Sequence, residues 1–258
     1  MRIKPVIGVS CGLQYVPEYN DFFNILPVRY IRSIIAAGAV PVAIPVVEEP
    51  VIHEVLELLD AVVIGGGPDI PPDYYGEPNI SCDAVVPRPR VDFDMVLVRA
   101  CRERDLPFLG VCYGHQVTHV AHGASLIQDI PSQVGTLVRH QRQPGEKEWV
   151  RHEVRIDPSS RLAGMLGADR GTPISAHHQA VRSMGQGLRA VAWASDGVLE
   201  AAEHPDLRFF FTVQWHPELS PDETQTHLLF GALVDAARRE TAGPKRFKSL
   251  PCFQGSDP

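Results

Sequence analysis

Short runs of consecutive apolar residues recur through the first half of the chain. Strands that are apolar on both faces are typical of a parallel sheet that is covered on both sides. The runs that predict such strands are residues 6–9, 40–44, 61–64 and 108–111.

Between these runs, apolar residues recur at spacings of three and four, as on one face of a helix. Helices are predicted at residues 24–37, 51–59 and 92–104. The first is expected to end at Gly38, because glycine often follows the last turn of a helix. The alternation of strands and helices predicts a three-layer α/β fold, with a mostly parallel central sheet flanked by helices.

The second half of the chain has a different pattern, with short strands joined by tight turns such as Ser195-Asp196-Gly197. Strands are predicted at residues 154–156, 174–175, 189–194, 198–202 and 209–214, followed by a closing helix at residues 221–239. Tight turns between neighbouring strands favour antiparallel additions to the parallel sheet.

We expect one domain over residues 1–242, because a chain of this length can bury the core of one large α/β domain. Surface loops are predicted at residues 68–89 and 139–148, which are rich in proline or polar residues. Residues 243–258 mix glycine, proline, lysine and serine, so we expect a poorly ordered tail.

Composition excludes several classes of partner. Hydrophobic residues make up 44% of the chain and its net charge is −7, which argues against nucleic acid as a partner. No apolar run approaches the length of about 18 residues that a membrane span needs. The five scattered cysteines and the absence of a secretion signal favour a reducing, cytoplasmic location over a disulfide framework.

The sequence Gly110-Val-Cys112-Tyr-Gly114 runs from a predicted strand directly into a helical pattern. It is the cysteine counterpart of the nucleophile elbow, in which flanking glycines permit a sharp turn from strand to helix. A cysteine at a helix N-terminus is also near the positive end of the helix dipole, which favours the thiolate. The alternative is that Cys112 is a small buried apolar residue, which is our interpretation of the other four cysteines.

A thiolate nucleophile works best with a histidine that takes its proton and later protonates the leaving amine. His216 follows a predicted strand, and Glu218 is close enough in sequence to accept its second ring N–H and orient it. The alternative is a surface histidine that precedes a proline.

The third requirement is a pair of donors for the oxyanion of a tetrahedral intermediate. The strand at residues 61–64 ends in Gly65-Gly66-Gly67, where a backbone N–H can approach a substrate. The N–H groups of Gly67 and Tyr113 are therefore the candidates, and a plain flexible turn is the alternative.

With these motifs assembled, the chain resembles the class I glutamine amidotransferase superfamily and, within it, the γ-glutamyl-γ-aminobutyrate hydrolase family, peptidase C26. The likeness covers nearly the whole chain, and Gln-Trp-His-Pro-Glu at residues 214–218 after the Gly-x-Cys-x-Gly motif is its most specific element. Its further blocks are residues 65–77, 123–131, 177–181 and 195–197.

The resemblance implies a cysteine-dependent hydrolase that cleaves γ-glutamyl amide bonds through a thioester at Cys112. It also implies the site, with a triad of Cys112, His216 and Glu218, an oxyanion hole at Gly67 and Tyr113, and substrate contacts at Gln116, His177, His178 and Gln179. Its partner would be a small γ-glutamyl amide, and hydrolases of this kind can form homodimers. The mechanism needs no cofactor and no metal.

Two positions depart from the pattern of the resembled hydrolases. Tyr113 stands where they commonly carry arginine, and Val91 follows Arg90 where Arg-Asp is usual. Both positions concern the leaving-group side of the pocket, so the identity of the amine stays open.

Three alternatives remain. His115, His119 and His122 could face one metal ion on the helix after Cys112, although no carboxylate or cysteine joins them at ligand spacing. The chain could instead be a glutaminase subunit that delivers ammonia to a separate synthetase. It could also be a non-catalytic protein that binds a γ-glutamyl metabolite.

Overall fold

The apolar runs form strands, and most of the amphipathic stretches form helices, in the computed structural model of the protein, which describes residues 4–81 and 85–238. The strands are β1 (Val6–Ser10), β2 (Gly12–Val16), β3 (Asp21–Ile25), β4 (Val40–Ile44), β5 (Ala61–Ile64), β6 (Phe108–Val111), β7 (Leu126–Ile127), β8 (Val150–Arg151), β9 (Val154–Ile156), β10 (Arg170–Gly171), β11 (Ile174–Ser175), β12 (Ala180–Val181), β13 (Arg189–Ala194), β14 (Leu199–Glu203) and β15 (Phe210–Val213). The α-helices are α1 (Val28–Ala36), α2 (Glu49–Leu56), α3 (Arg88–Glu103), α4 (Tyr113–Ala121), α5 (Ile130–Val134), α6 (Arg161–Leu166) and α7 (Thr224–Arg238).

Within the described residues, nine strands form one sheet in the order β10-β9-β13-β14-β15-β6-β5-β1-β4. The five strands from β15 to β4 are parallel, and the four from β10 to β14 are antiparallel additions. The predicted fold class is confirmed, including the change from parallel to antiparallel pairing in the second half of the chain.

Both faces of the parallel strands are buried, as their continuous apolar sequence predicts. Along β5, Val63 packs into the core that contains residues of α1 and α7, whereas Val62 and Ile64 pack into the core that contains residues of α2, α3 and α4. Each such side chain contributes about 1.5–3 kcal/mol through the hydrophobic effect, so the two cores hold the strand ends in fixed positions.

The prediction of one helix over residues 24–37 is wrong at its beginning. Residues 21–25 form β3, which pairs with β2 in an exposed antiparallel hairpin, and the helix begins only at Val28, after Pro27. Proline fixes its own φ angle and restricts the residue before it to extended backbone, so the chain leaves the strand before it enters the helix.

The prediction that residues 40–44 are buried on both faces is also wrong. This strand is β4, at the edge of the sheet, where Val40 and Val42 are exposed. Pro41 fits this position, because a proline cannot donate a hydrogen bond to a neighbouring strand and is tolerated at a sheet edge.

Part of the sequence-based account lies outside the described residues. The domain boundary at residue 242 and the tail at residues 243–258 are among these regions, so both stay predictions. Within the described residues, no helix combines the length and the apolar character that crossing a membrane requires.

Helix α4 lies very close to the ends of β5 and β6. A Cβ atom on Gly114 would lie 2.1 Å from the carbonyl oxygen of Ile64, and one on Gly110 would lie 2.6 Å from the carbonyl oxygen of Gly114. The Gly114 N–H uses this proximity to donate a hydrogen bond of 3.2 Å to the Gly65 carbonyl. The two glycines therefore permit the tight turn between strand and helix that the motif predicts.

We predict that Gly114→Ala lowers the free energy of unfolding by at least about 2 kcal/mol, because the added methyl group forces two backbone segments apart. The matched control is Gly164→Ala in α6, where the Cβ meets open space and the free energy of unfolding should rise by up to about 1 kcal/mol. Urea denaturation of both variants, followed by circular dichroism, measures the difference. Equal stability of the two variants would contradict the close packing.

Candidate active site

Cys112 lies at the turn between β6 and α4, in a backbone conformation that few residues adopt. Its φ and ψ angles are 53° and −103°. Such a conformation costs about 1–3 kcal/mol and persists only where surrounding contacts impose it. Two of these contacts are backbone hydrogen bonds, one from the Cys112 N–H to the Val213 carbonyl at 2.8 Å and one from the Gln116 N–H to the Cys112 carbonyl at 3.1 Å.

The register of the sheet brings His216 to the same edge as Cys112. Strands β6 and β15 are parallel neighbours with Val111 opposite Val213, so the segments that follow them leave the sheet side by side. The His216 N–H donates to the Ile174 carbonyl at 2.9 Å, which fixes the backbone at this point. The ring Nδ1 lies 2.7 Å from Oε1 of the buried Glu218. The structure thus brings the three predicted triad residues together.

The environment of His216 favours its protonated form. Burial alone would lower the pKa of the imidazole, but the neighbouring Cys112 thiol and the Glu218 carboxylate outweigh it and raise the pKa well above its usual value. A protonated imidazole beside the sulfur stabilises a thiolate and can give its proton to a leaving group.

Tyr30 is a support for this site that the sequence analysis missed. Its ring is buried in α1, and its hydroxyl oxygen accepts a hydrogen bond of 2.9 Å from the Gly66 N–H. Burial, followed by the nearby Glu218 carboxylate, raises the pKa of this phenol well above its usual value, so the hydroxyl stays neutral. Tyr30 therefore connects the glycine segment after β5 with the carboxylate that orients His216.

Arg90 holds the same glycine segment from its other side. The buried guanidinium donates from Nη2 to the Gly66 carbonyl at 3.3 Å. In a trans peptide, the carbonyl and the following N–H point in opposite directions, so this bond directs the Gly67 N–H away from Arg90. Gly67 lines the cavities beside Cys112, and this orientation suits it as an oxyanion donor.

The second candidate donor belongs to Tyr113, the first residue of α4. The first N–H groups of a helix have no acceptor within that helix, so this N–H is available beside Cys112. The Tyr113 side chain points elsewhere, since it is fully buried beneath the Arg90 guanidinium, 4.3 Å from its ring centroid.

The two departures noted in the sequence have no direct contact with the pocket. The side chains of Tyr113 and Val91 are both fully buried in the core that contains residues of α2, α3 and α4. Neither therefore touches a leaving group directly, although Tyr113 packs against Arg90, which holds the Gly66 carbonyl.

Cys112 lies where two cavities meet. The first has a volume of about 470 Å³ and polar walls that include Gln116, Asp69 and His178. The second has a volume of about 410 Å³ and is lined by His216, Tyr30, Arg29, Trp149 and Leu219. Gly67 lies on the boundary of both, as Cys112 does. A substrate whose scissile bond lies at Cys112 can thus place one part in each cavity.

Gln116 is held in the wall of the first cavity. Its side-chain nitrogen donates to the Gln179 carbonyl at 3.0 Å and to Oε1 of Gln214 at 3.2 Å. These two bonds use the amide nitrogen and fix the rotamer of a side chain that is almost entirely buried. The prediction that Gln116 borders the substrate pocket agrees with this position.

His178 and two carboxylates that the sequence analysis missed form the polar end of the first cavity. The His178 Nε2 lies 2.9 Å from Asp69, and its Nδ1 lies 3.5 Å from Asp129. The hydrogen bond with Asp69 is the main cause that raises the pKa of His178. Asp69 follows the glycine run directly, and that adjacency was the one sequence signal for it.

His177 and Gln179 border the first cavity, but their polar groups make contacts within the protein. The His177 Nδ1 lies 2.9 Å from the Gln179 carbonyl, and its Nε2 faces Glu200 at 3.6 Å. The Gln179 Oε1 accepts a hydrogen bond from the Ile70 N–H at 3.2 Å. The imidazole of His177 is thus directed towards Glu200, which leaves His178 as the histidine of this pair available to a substrate.

The three helix histidines are buried or half-buried, and each engages a neighbour through one ring nitrogen. His115 contacts Thr212, His119 accepts from the Gly185 N–H, and His122 contacts the Thr118 carbonyl. Burial lowers the pKa of all three, so they stay neutral. Among the described residues, they do not form a group with the spacing of metal ligands.

Comparison with solved structures supports the fold. A GMP synthase component from Thermoplasma acidophilum has a TM-score of 0.62 at 16% identity, with 93% of this chain and 98% of that chain covered. The glutaminase domain of Trypanosoma brucei CTPS has a TM-score of 0.59 at 18% identity, covering 90% and 94% of the two chains. At this level of identity the likeness concerns the fold alone.

Comparison of sequences is more specific. A protein of Mycobacterium tuberculosis, named provisionally as a glutamine amidotransferase, is 38% identical over 242 residues, or 91% of this chain and 75% of that protein. The γ-glutamyl-γ-aminobutyrate hydrolase PuuD of Escherichia coli K12 is 30% identical over 252 residues, or 94% and 97% of the two chains. The sequence profile of the peptidase C26 family matches residues 5–218, a span that contains the elbow, the glycine segment and the histidine–glutamate pair. The chain belongs to the peptidase C26 family.

Proposed function

We propose that the protein is a hydrolase of γ-glutamyl amide bonds that releases glutamate and an amine through a γ-glutamyl thioester at Cys112. One observation carries the proposal. Cys112 lies between two cavities, and His216, whose Nδ1 is held by Glu218, lines only the second of them among the described residues. That arrangement suits a substrate with an acyl part on one side and an amine on the other.

In the first half of the reaction, the Cys112 sulfur attacks the γ-carbonyl carbon and a C–S bond forms. The carbonyl oxygen becomes an oxyanion, which the N–H groups of Gly67 and Tyr113 can stabilise. The C–N bond then breaks as the protonated His216 gives its proton to the leaving nitrogen. Because the general acid must face that nitrogen, the amine belongs in the second cavity and the glutamyl group in the first.

In the second half, water replaces the departed amine. His216 takes a proton from the water as its oxygen attacks the thioester carbonyl, and the C–S bond breaks to release glutamate and regenerate the thiolate. Glu218 keeps Nδ1 of the imidazole engaged throughout, so that Nε2 carries the transferred proton in both steps.

The second cavity also supports a class of leaving amine. Arg29 is an exposed cation at its rim, and the apolar surfaces of Trp149 and Leu219 lie beside it. A guanidinium recognises a carboxylate, and apolar walls accommodate a short alkyl chain. The amine that fits is therefore an amino acid with a few methylene groups between nitrogen and carboxylate, and the relative PuuD is named for such a substrate.

The first prediction is that purified protein hydrolyses γ-glutamyl amides without a partner, and that Cys112→Ala abolishes this activity. Glutamate release from a panel of γ-glutamyl amides and glutamine is the measurement. Cys101→Ala is the matched control, because burial raises the pKa of the Cys101 thiol and keeps it protonated in the core.

Two outcomes would replace the proposal. Cleavage of glutamine alone, and only when a synthetase is present, would identify a glutaminase subunit. Binding of the amides without cleavage, unchanged in Cys112→Ala, would identify a non-catalytic binding protein.

The second prediction concerns pH. Glu218→Gln removes an anion that raises the pKa of His216, so this pKa should fall and the alkaline limit of kcat/KM should move to lower pH. The value of kcat should also drop on the order of 10²-fold or more, because the imidazole loses its orientation. A pH–rate profile of the variant with an unchanged alkaline limit would contradict the role of Glu218.

The third prediction tests the leaving-group side. Arg29→Ala should lower kcat/KM for γ-glutamyl-γ-aminobutyrate roughly 3- to 10-fold, because a charged hydrogen bond to the amine's carboxylate is lost. It should leave γ-glutamyl-butylamide, which lacks that carboxylate, unaffected. Arg32→Ala is the matched control, since Arg32 is also exposed on α1 but does not line the cavity. Equal losses on both substrates would place the amine elsewhere.

A further inference from the structure

Four side chains converge beneath the wall of the first cavity, outside the residues that the proposed reaction uses. They are His140 in the segment after α5, His152 between β8 and β9, His177 after β11, and Glu200 in β14. All four side chains are at least nine-tenths buried, and that of Glu200 is entirely so. We name this group the His₃Glu cluster.

The nitrogens of the three histidines surround one oxygen of the carboxylate. Oε1 of Glu200 lies 3.4 Å from Nδ1 of His140, 3.5 Å from Nε2 of His152 and 3.6 Å from Nε2 of His177. These separations exceed the range of about 2.7–3.2 Å that is typical of N–H···O hydrogen bonds. Accordingly, none of these three nitrogens, and neither oxygen of Glu200, has a hydrogen-bond partner within the described part of the chain.

The opposite nitrogen of each imidazole faces an acceptor. Nε2 of His140 lies 3.0 Å from the Asp196 carboxylate, and Nδ1 of His177 lies 2.9 Å from the Gln179 carbonyl. Nδ1 of His152 lies 3.3 Å from the Glu153 carbonyl.

An acceptor requires that the facing nitrogen carries a proton, so a neutral ring directs its lone pair towards Glu200. Metal-binding histidines show this pattern, in which a carboxylate or carbonyl orients the ring from behind.

Without a cation, this arrangement is unfavourable. Three lone pairs facing a buried carboxylate repel it, and a buried charge needs a partner. Protonation of His140 alone would leave the other two lone pairs directed at the anion. Burial lowers the pKa of His177, which opposes a second proton there.

We propose that the His₃Glu cluster binds one Zn²⁺ ion. Zinc binds imidazole nitrogen at about 2.0–2.1 Å and carboxylate oxygen at about 2.0–2.2 Å, usually in a tetrahedron. Ligand atoms of such a tetrahedron are about 3.3–3.5 Å apart, by the geometry of those bond lengths. The observed separations of 3.4, 3.5 and 3.6 Å match that spacing. Three imidazoles also select zinc over magnesium and calcium, which prefer oxygen ligands.

Four ligands from the protein complete the coordination shell, so the site is structural and leaves no position for a substrate. Its place in the fold gives it a defined effect. The His177 N–H donates to the His140 carbonyl at 3.0 Å, and the Gln179 carbonyl accepts from Gln116. The ion would thus tie β14 to the segments around residues 140, 152 and 177, and hold the wall of the cavity beside Cys112.

This site was not foreseen in the sequence, which led to the expectation of no metal. Its ligands come from four separated segments with no short motif, whereas the histidines that share a helix face, at positions 115, 119 and 122, do not form such a group. Only the fold brings the ligands together.

The test measures zinc in the Cys112→Ala protein, so that zinc captured by the thiol with His216 and Glu218 is not counted. The purified full chain is stripped with a chelator, titrated with zinc chloride, passed through a desalting column and analysed for zinc. We expect one zinc per chain and a rise of several degrees in Tm on zinc addition. Substituted Co²⁺ should give the intense absorption of a four-coordinate site.

Glu200→Gln and His152→Ala, each added to Cys112→Ala, should weaken zinc binding by more than about 10-fold, a loss that even outer-shell changes can cause. Glu203→Gln is the matched control, because Glu203 is a buried glutamate of the same strand outside the cluster. Absence of stoichiometric zinc in the parent, or equal zinc binding by Glu200→Gln, His152→Ala and the control, would overturn the proposal. If Glu200→Gln does not fold, His152→Ala, whose side chain is the least buried of the four, decides the result.

Discussion

The parallel pairing of β5, β6 and β15 is the constraint on which the site depends. Ile64 lies opposite Gly110, and Val111 lies opposite Val213, so three strand ends reach one edge of the sheet in register. The glycine segment, Cys112 and His216 follow these ends directly. Because both faces of the strands are packed, a shift by one residue would move buried side chains to the wrong core as well as separate the three groups.

The glycine segment is the second element that has to be rigid. Tyr30 bonds the Gly66 N–H, Arg90 bonds the Gly66 carbonyl, and the Gly114 N–H bonds the Gly65 carbonyl. Donors for an oxyanion are effective when they are fixed before the reaction begins. A zinc ion in the His₃Glu cluster would fix the opposite wall in the same sense, since His177 and Gln179 belong to both the cluster's surroundings and the first cavity.

The sequence predicts those parts of the site that are local. The elbow at Cys112 and the pair of His216 and Glu218 each occupy a few consecutive residues at the end of an apolar run, and the structure brings them together as expected. The supporting contacts are long-range, as between Tyr30 and Gly66 or His178 and Asp69, and no periodicity reveals them. The hairpin of β2 and β3 was missed for a related reason, because its exposed faces lack the apolar alternation of a buried strand.

The central claim is that Cys112 forms a γ-glutamyl thioester. Rapid-quench mass spectrometry during turnover of a γ-glutamyl anilide tests it most directly, because the acidic quench preserves a thioester. The account predicts a chain heavier by one γ-glutamyl group, with the added mass on the peptide that contains Cys112, and a burst of aniline release equal to the enzyme concentration. Turnover that proceeds with no adduct and no burst, or an adduct on another cysteine, would contradict it.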